Sequence, residues 1–211
     1  MKFKPEEIDK FKEIRENLSD REILDFLLVI ASCRPACLLM DPEPEELELI
    51  EDFCETIGFE IFISRDEDSS LLGNRGVFIY RDENRRELIE ESNGRFYGLD
   101  DRDVGKFLGF PDEDTKYFHN QIRNHPVEPE TREKVDSMKK EGLITSKESK
   151  IVDIVSYVPK PDEEGIYRAL DKSKKYLRNI EDFDEQNKCE IGKHVVESFL
   201  GITLDSLQDL N

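Results

Sequence analysis

The residues best placed to do chemistry are two arginines at the ends of short apolar runs. Arg34 precedes Pro-Ala-Cys-Leu-Leu-Met40, and Arg81 follows Gly-Val-Phe-Ile-Tyr80. If residues 36–40 and 59–64 run parallel across an intervening helix, and 76–81 returns antiparallel, both guanidiniums reach one end of one sheet. Such a pair makes an anion site, because a planar guanidinium meets carboxylate or phosphate with two parallel hydrogen bonds. Gly109, Phe110 and Pro111, at a helix corner, are expected nearby. The candidate ligand-binding set is therefore Arg34, Arg81, Gly109, Phe110 and Pro111. The competing reading pairs each arginine with a local carboxylate such as Glu60 or Asp82, as surface ion pairs commonly do. If the pocket is catalytic, His119 is its candidate general acid or base.

Other chemistries lack their residues. Cys33 and Cys37 are spaced C-x3-C, but no second pair and no nearby histidine complete a zinc set. No metal or cofactor is expected. His119 and His125 are too far apart for the i,i+4 pair of a zinc helix. There is no G-x-S-x-G elbow, P-loop or G-x-G-x-x-G, so hydrolase, kinase and dehydrogenase readings are unsupported. An enzyme is not the favoured reading.

These residues must be positioned by a helix corner and a sheet. In Asp103–Phe118, Val104, Phe107 and Leu108 share a helical face. Gly109 suits the left-handed stop, Pro111 suits a first turn, and Asp112, Glu113 and Asp114 favour the next helix N-terminus. Thr115 and Phe118 are expected to pack back on Val104 and Leu108. Gly105, Gly109 and Thr115 also match helix-turn-helix spacing. A DNA reader needs basic residues on its second helix, and here that helix opens Asp-Glu-Asp.

Earlier in the chain, Ser19 and Glu22 form a capping-box pattern before a buried helix over 20–31. A central strand within 33–40, a helix ending at Gly58 and a strand over 59–64 follow. A polar loop over 65–75, a strand over 76–81 and a helix over 85–92 closed by Asn93-Gly94 come next. His125-Pro-Val-Glu-Pro129 is the best linker candidate, and 130–141 reads as a charged helix. Ile151–Val158 reads as a further strand joining the same sheet. A helix follows from Glu163 through Ile180, and 189–210 is helical with a break at Gly201.

The 211 residues are enough for a real core, and the net charge of -19 opposes binding to nucleic acid or anionic membrane. No apolar run approaches a membrane span and no signal-peptide core is present. A cytoplasmic location with reduced cysteines is expected.

Arg34-Pro-Ala36, Phe78-Ile-Tyr-Arg81 and Val104-Gly-Lys-Phe-Leu-Gly-Phe-Pro-Asp-Glu-Asp114 resemble, in order and rough spacing, a family of small prokaryotic, mainly archaeal proteins of unknown function. That family carries a V/I-G-x-F-L-G-[FY]-P helix corner. The resemblance covers about residues 33–180 and implies fold and lineage, not an activity. It would place cysteines after the corner proline and after Val158-Pro159. This chain has Asp112–Asp114 and Lys160–Asp162 there, so if the family binds metal through those cysteines, the resemblance implies that this chain has lost the site.

The expected fold is α/β (α+β): a small mixed sheet in a β-α-β-β-α core, flanked by helices, with the helix-turn-helix-like corner and a helical C-terminal extension. One domain should span 1–180, with a subdivision allowed near 125–130, and the extension 181–211. The expected function is cytoplasmic binding or regulation, recognising a small anionic ligand or a protein partner. The alternatives are an enzyme using the same arginine-lined pocket and a helix-turn-helix DNA-associated regulator.

Overall fold

The computed structural model describes residues 1–65, 75–82, 84–90, 101–121 and 127–203. The loop expected within 65–75, the Asn93-Gly94 stop, His125 and the last part of the C-terminal helical stretch fall largely or wholly outside them.

Helix α1 (Pro5–Asn17) starts on a proline, and the Glu7 carboxylate accepts from the Lys4 N–H at 2.7 Å. Helix α2 (Asp20–Ile30) has the reciprocal cap its sequence announced: Ser19 N–H donates to Glu22 and Glu22 N–H to Ser19 Oγ. From Phe26 to Ile30 every side chain of α2 is fully buried, as suits a helix that is apolar all round. Strand β1 (Ala36–Met40), helix α3 (Pro44–Ile57) and strand β2 (Glu60–Arg65) follow, with Gly58 closing α3 in the left-handed conformation. Strand β3 (Arg75–Tyr80) then inserts between β1 and β2.

That insertion decides the sheet and makes β3, not the expected β1, its central strand. β1 and β2 point the same way, yet neither pairs with the other, and both ladders to β3 are antiparallel. The α+β class holds, but the sheet is antiparallel throughout rather than mixed. Its register places Ala36 and Glu60 opposite Tyr80, so both strand starts and the end of β3 share one edge. Side chains alternate between two covered faces. Cys37, Leu39, Val77 and Ile79 join the main core with α2 and α3, whereas Ala36, Phe78 and Tyr80 meet Phe107 and Leu108.

Helix α4 (Asn84–Glu90) precedes the corner helices α5 (Asp101–Leu108) and α6 (Asp112–Gln121). Helix α7 spans Val127–Lys140, so residues 127–129 of the expected linker form its first turn, where Pro129 is tolerated. The expected strand over 151–158 does not form. Helix α8 (Glu148–Ile151) runs into a 3₁₀ turn over Val152–Val155 that packs on helix α9 (Glu163–Asn187). Ile151, Val152, Ile154 and Val155 are all buried while Asp153 is not, a helical pattern that no strand alternation would produce.

Helix α9 runs unbroken through residue 180. Its Asp184 accepts from the N–H groups of Gly192 and Lys193 at 2.9 and 2.8 Å, capping helix α10 (Ile191–Leu200) from outside. No helix among the described residues is long and apolar enough to cross a membrane.

Candidate functional site

The α5–α6 corner depends on close approach. A Cβ on Gly105 would stand 2.4 Å from Thr115 Cγ2, so only glycine lets the two helices meet there. Gly109 has φ of 74° and faces the Pro35 ring, which a Cβ would reach at 2.6 Å. The segment Arg34-Pro35 therefore seats directly against the corner. Arg34 Cζ lies 5.1 Å from the centre of the Phe110 ring, within cation–π reach.

Arg34 is 3% exposed. Its Nη1 donates to Asp25 Oδ1 at 2.9 Å, and its Nε is buried without a hydrogen-bond partner. The Ser156 hydroxyl also donates to Asp25. Ser156 takes a left-handed conformation at the end of the 3₁₀ turn and delivers Tyr157 against Phe110, ring centres 5.1 Å apart. On α6, Asp114 is 1% exposed and accepts from Arg168 Nη2 at 3.0 Å, Arg168 Nε at 3.2 Å and the Lys160 N–H at 2.9 Å. From α9, Lys172 Nζ donates to the Gly109 carbonyl at 3.1 Å and lies 5.4 Å from the Tyr157 ring centre.

Against Phe110, Asp114, Ser156 and Tyr157 lies a cavity of about 220 Å³. Val104, Phe110, Phe118, Tyr157 and Val158 give it apolar walls, with Asp114, Thr115 and Ser156 as polar neighbours. A second hollow of about 460 Å³ lies across Ser156–Val158, bordered by Arg21, Arg132 and Asp153. Arg132 is engaged with both Asp153 carboxylate oxygens at 2.9 and 3.0 Å.

The electrostatics are uneven. Burial, and then the Asp114 charge, push the Tyr157 phenol well above its usual range, so it stays protonated. Burial, with Arg34 adding to it, pulls Lys172 down to about 8, against the opposing pull of Asp114. Cys33 is pushed up to about 12 by burial, which leaves it a poor nucleophile.

The structure thus brings Arg34, Gly109 and Phe110 together, with Pro111 accepting the Thr115 N–H in the first turn of α6. Arg81 reaches the same sheet edge but has its own surroundings. Its guanidinium donates to Ser32 Oγ at 2.6 Å and the Ile30 carbonyl at 3.5 Å, and it covers the Phe59 ring. His119 sits on α6 next to Phe118 but is not among the cavity-lining residues. Asp25, Asp114, Tyr157, Arg168 and Lys172 were not legible as site residues. Asp114 read as a helix-dipole acid, and Tyr157 was hidden in a stretch that resembled a strand. Arg168 and Lys172 carry only a weak signal, two cations four apart on one face of a helix. Among the described residues, no three histidine, cysteine or acidic side chains converge as a metal set.

The fold and site define an α+β protein with a ring-sized aromatic cavity at a helix corner. Comparison with family models, curated proteins and solved structures finds no match.

Proposed function

We propose that this chain is a binding or regulatory protein whose ligand site is the corner cavity, and that the occupant is a mainly apolar group the size of one ring. The supporting observation is the cavity itself, walled by Phe110, Phe118 and Tyr157 and held by a corner that glycine alone permits. Small-molecule sites are concave, apolar and largely preformed, and an apolar cavity of roughly 150 Å³ suffices for benzene. Asp25 and Asp114 neutralise Arg34 and Arg168 beside it, which favours an uncharged ligand over the small anion expected from the arginines. A reducing, cytoplasmic setting belongs to the same proposal, consistent with four free thiols, of which Cys37 and Cys54 are fully buried.

DNA reading has less support. The second helix of the corner turns Asp112 and Glu113 to solvent, where phosphates would have to lie. Catalysis by His119 would require it to face the cavity, and the lining side chain at that point is Phe118.

Thermal denaturation with toluene, benzyl alcohol and benzoate tests the proposal. A ligand that binds only the native state raises the melting temperature. Toluene or benzyl alcohol should raise it in the wild type and not in Val104→Phe, whose larger side chain fills the cavity. Benzoate should do no better than benzyl alcohol. A flat response of the wild type to all three near their solubility limits would overturn the proposal.

A further inference from the structure

We infer that the corner cavity takes a ring carrying a hydroxyl group, of the class of phenol, and binds it ahead of the plain hydrocarbon. The inference rests on the reading of that cavity as a ligand site and names the class of its ligand.

Among the lining residues, Asp114, Thr115, Ser156 and Tyr157 have polar side chains. What each can still offer follows from the bonds it already makes. The Thr115 hydroxyl donates to the Pro111 carbonyl at 3.0 Å, so its hydrogen is committed within its own helix turn. The Ser156 hydroxyl donates to Asp25 Oδ1, the oxygen that also accepts from Arg34 Nη1. Asp114 is a carboxylate and has no hydrogen to give. Its Oδ1 accepts from the Lys160 N–H and Arg168 Nη2, and its Oδ2 from Arg168 Nε. A carboxylate has about four acceptor sites, so those bonds do not exhaust it. Asp114, Thr115 and Ser156 therefore have lone pairs to offer and no hydrogen.

Tyr157 is the exception. Its ring packs against Phe110 and lies under the Lys172 ammonium, and both contacts are made by the ring. The hydroxyl is buried and makes no hydrogen bond within the protein. A buried hydroxyl left without a partner costs free energy, and each such group in a native fold calls for an explanation. A hydrocarbon ring would leave it unpaired. A ligand acceptor would take its hydrogen, and a ligand donor would suit the lone pairs of the other three side chains. A hydroxyl does both from a single atom. An ether or ketone would answer Tyr157 alone, and an ammonium would answer only the lone pairs.

Isothermal titration calorimetry of the full-length protein tests the inference with phenol, fluorobenzene and toluene, rings of closely similar size. At neutral pH, where phenol is uncharged, it should bind roughly tenfold tighter than either of the others, as one or two net hydrogen bonds allow. Tyr157→Phe removes the unpartnered hydroxyl and keeps the ring, so it should melt no lower than the wild type. It should weaken phenol roughly tenfold and leave toluene unchanged. Val104→Phe should abolish binding of all three. Toluene binding as tightly as phenol overturns the inference and leaves the ligand site standing. A Tyr157→Phe protein that keeps the preference for phenol also overturns it, because the hydroxyl is then not what the ligand meets. So does a marked loss of stability in that variant, which would mean that the hydroxyl already has a partner. Failure of all three rings to bind the wild type removes the ligand site itself, and the inference with it.

Discussion

Lys172 holds its proton less tightly in the folded chain than in the unfolded one, and this has a consequence for stability whatever the ligand. The folded group titrates near 8 and the ordinary value is 10.5. Between those values the unfolded chain keeps a proton that the folded chain has released, so raising the pH favours folding. Below pH 8 both states are protonated and the penalty is present in full. Above 10.5 both are neutral and it is gone. In urea unfolding, the stability difference between Lys172→Met and the wild type should therefore move steadily in favour of the wild type from pH 8 to pH 10.5. It should be level below that window. A difference independent of pH throughout would show that the amine is not perturbed. Arg34 illustrates what could and could not be read at this scale. Its place at one end of the sheet was expected from the directions of the strands, with the corner residues nearby, and the register puts the start of β1 opposite the end of β3. Its partner Asp25, on the preceding helix, was not expected, because the sequence is rich in acids and none is marked as the one that meets Arg34.

At the scale of elements, the corner was the most legible feature, and the reason is geometric. Glycine four residues before the turn and a β-branched residue six after it are a steric pair, and the structure shows Thr115 standing where a side chain on residue 105 would go. Gly105→Ala should accordingly cost about 1–3 kcal/mol, the usual range for overpacking a filled contact. Thr115→Ala removes Cγ2 and Oγ1 but leaves a Cβ at 3.1 Å, so it should recover part of that loss when added to Gly105→Ala. The two changes should be non-additive in a double-mutant cycle. Simple additivity of the unfolding free energies would mean that the helices are not held apart at this point. The stretch over 151–158 was misread for an equally concrete reason. Alternation and helical spacing coincide in a run as short as Ile-Val-Asp-Ile-Val, and only the burial of both neighbours on each side of Asp153 separates them. The order of the strands was partly legible. Antiparallel return of β3 was expected, but its insertion between β1 and β2 depends on long-range pairing that no local pattern records.

At the scale of the molecule, the contacts tie the first residues to the end of α9. Asn187, at the end of α9, accepts from the Phe3 N–H at 2.6 Å and donates to the Met1 carbonyl at 3.2 Å. Phe3 in turn meets Phe53 and Phe183 edge-on, with ring centres 5.9 and 5.5 Å away. A single cluster of buried side chains includes Phe11 and Leu27 from the first helices, Val77 and Ile79 from the sheet, and Val135, Ile154, Ile166 and Val195 from the later helices. Residues on both sides of 125–130 therefore share one apolar interior, and neither side can be exposed without opening the other. Such a core should unfold in one cooperative step. The chain has no tryptophan and six tyrosines, among them Tyr80 in the sheet and Tyr157 and Tyr176 in the later half. Tyrosine near-ultraviolet dichroism thus reports on both parts, while far-ultraviolet dichroism follows the helices. In urea the two signals should give one coincident transition, with the same midpoint and the same slope. Chains with residues 1–3 removed should unfold at lower urea, still in one step, because the Asn187 amide and the Phe3 site lose their partners together. Two separated transitions in the intact chain would place a boundary near 125–130. The corner cavity, which draws its walls from α5, α6 and the 156–158 segment on opposite sides of that point, would then be a site between units rather than within one.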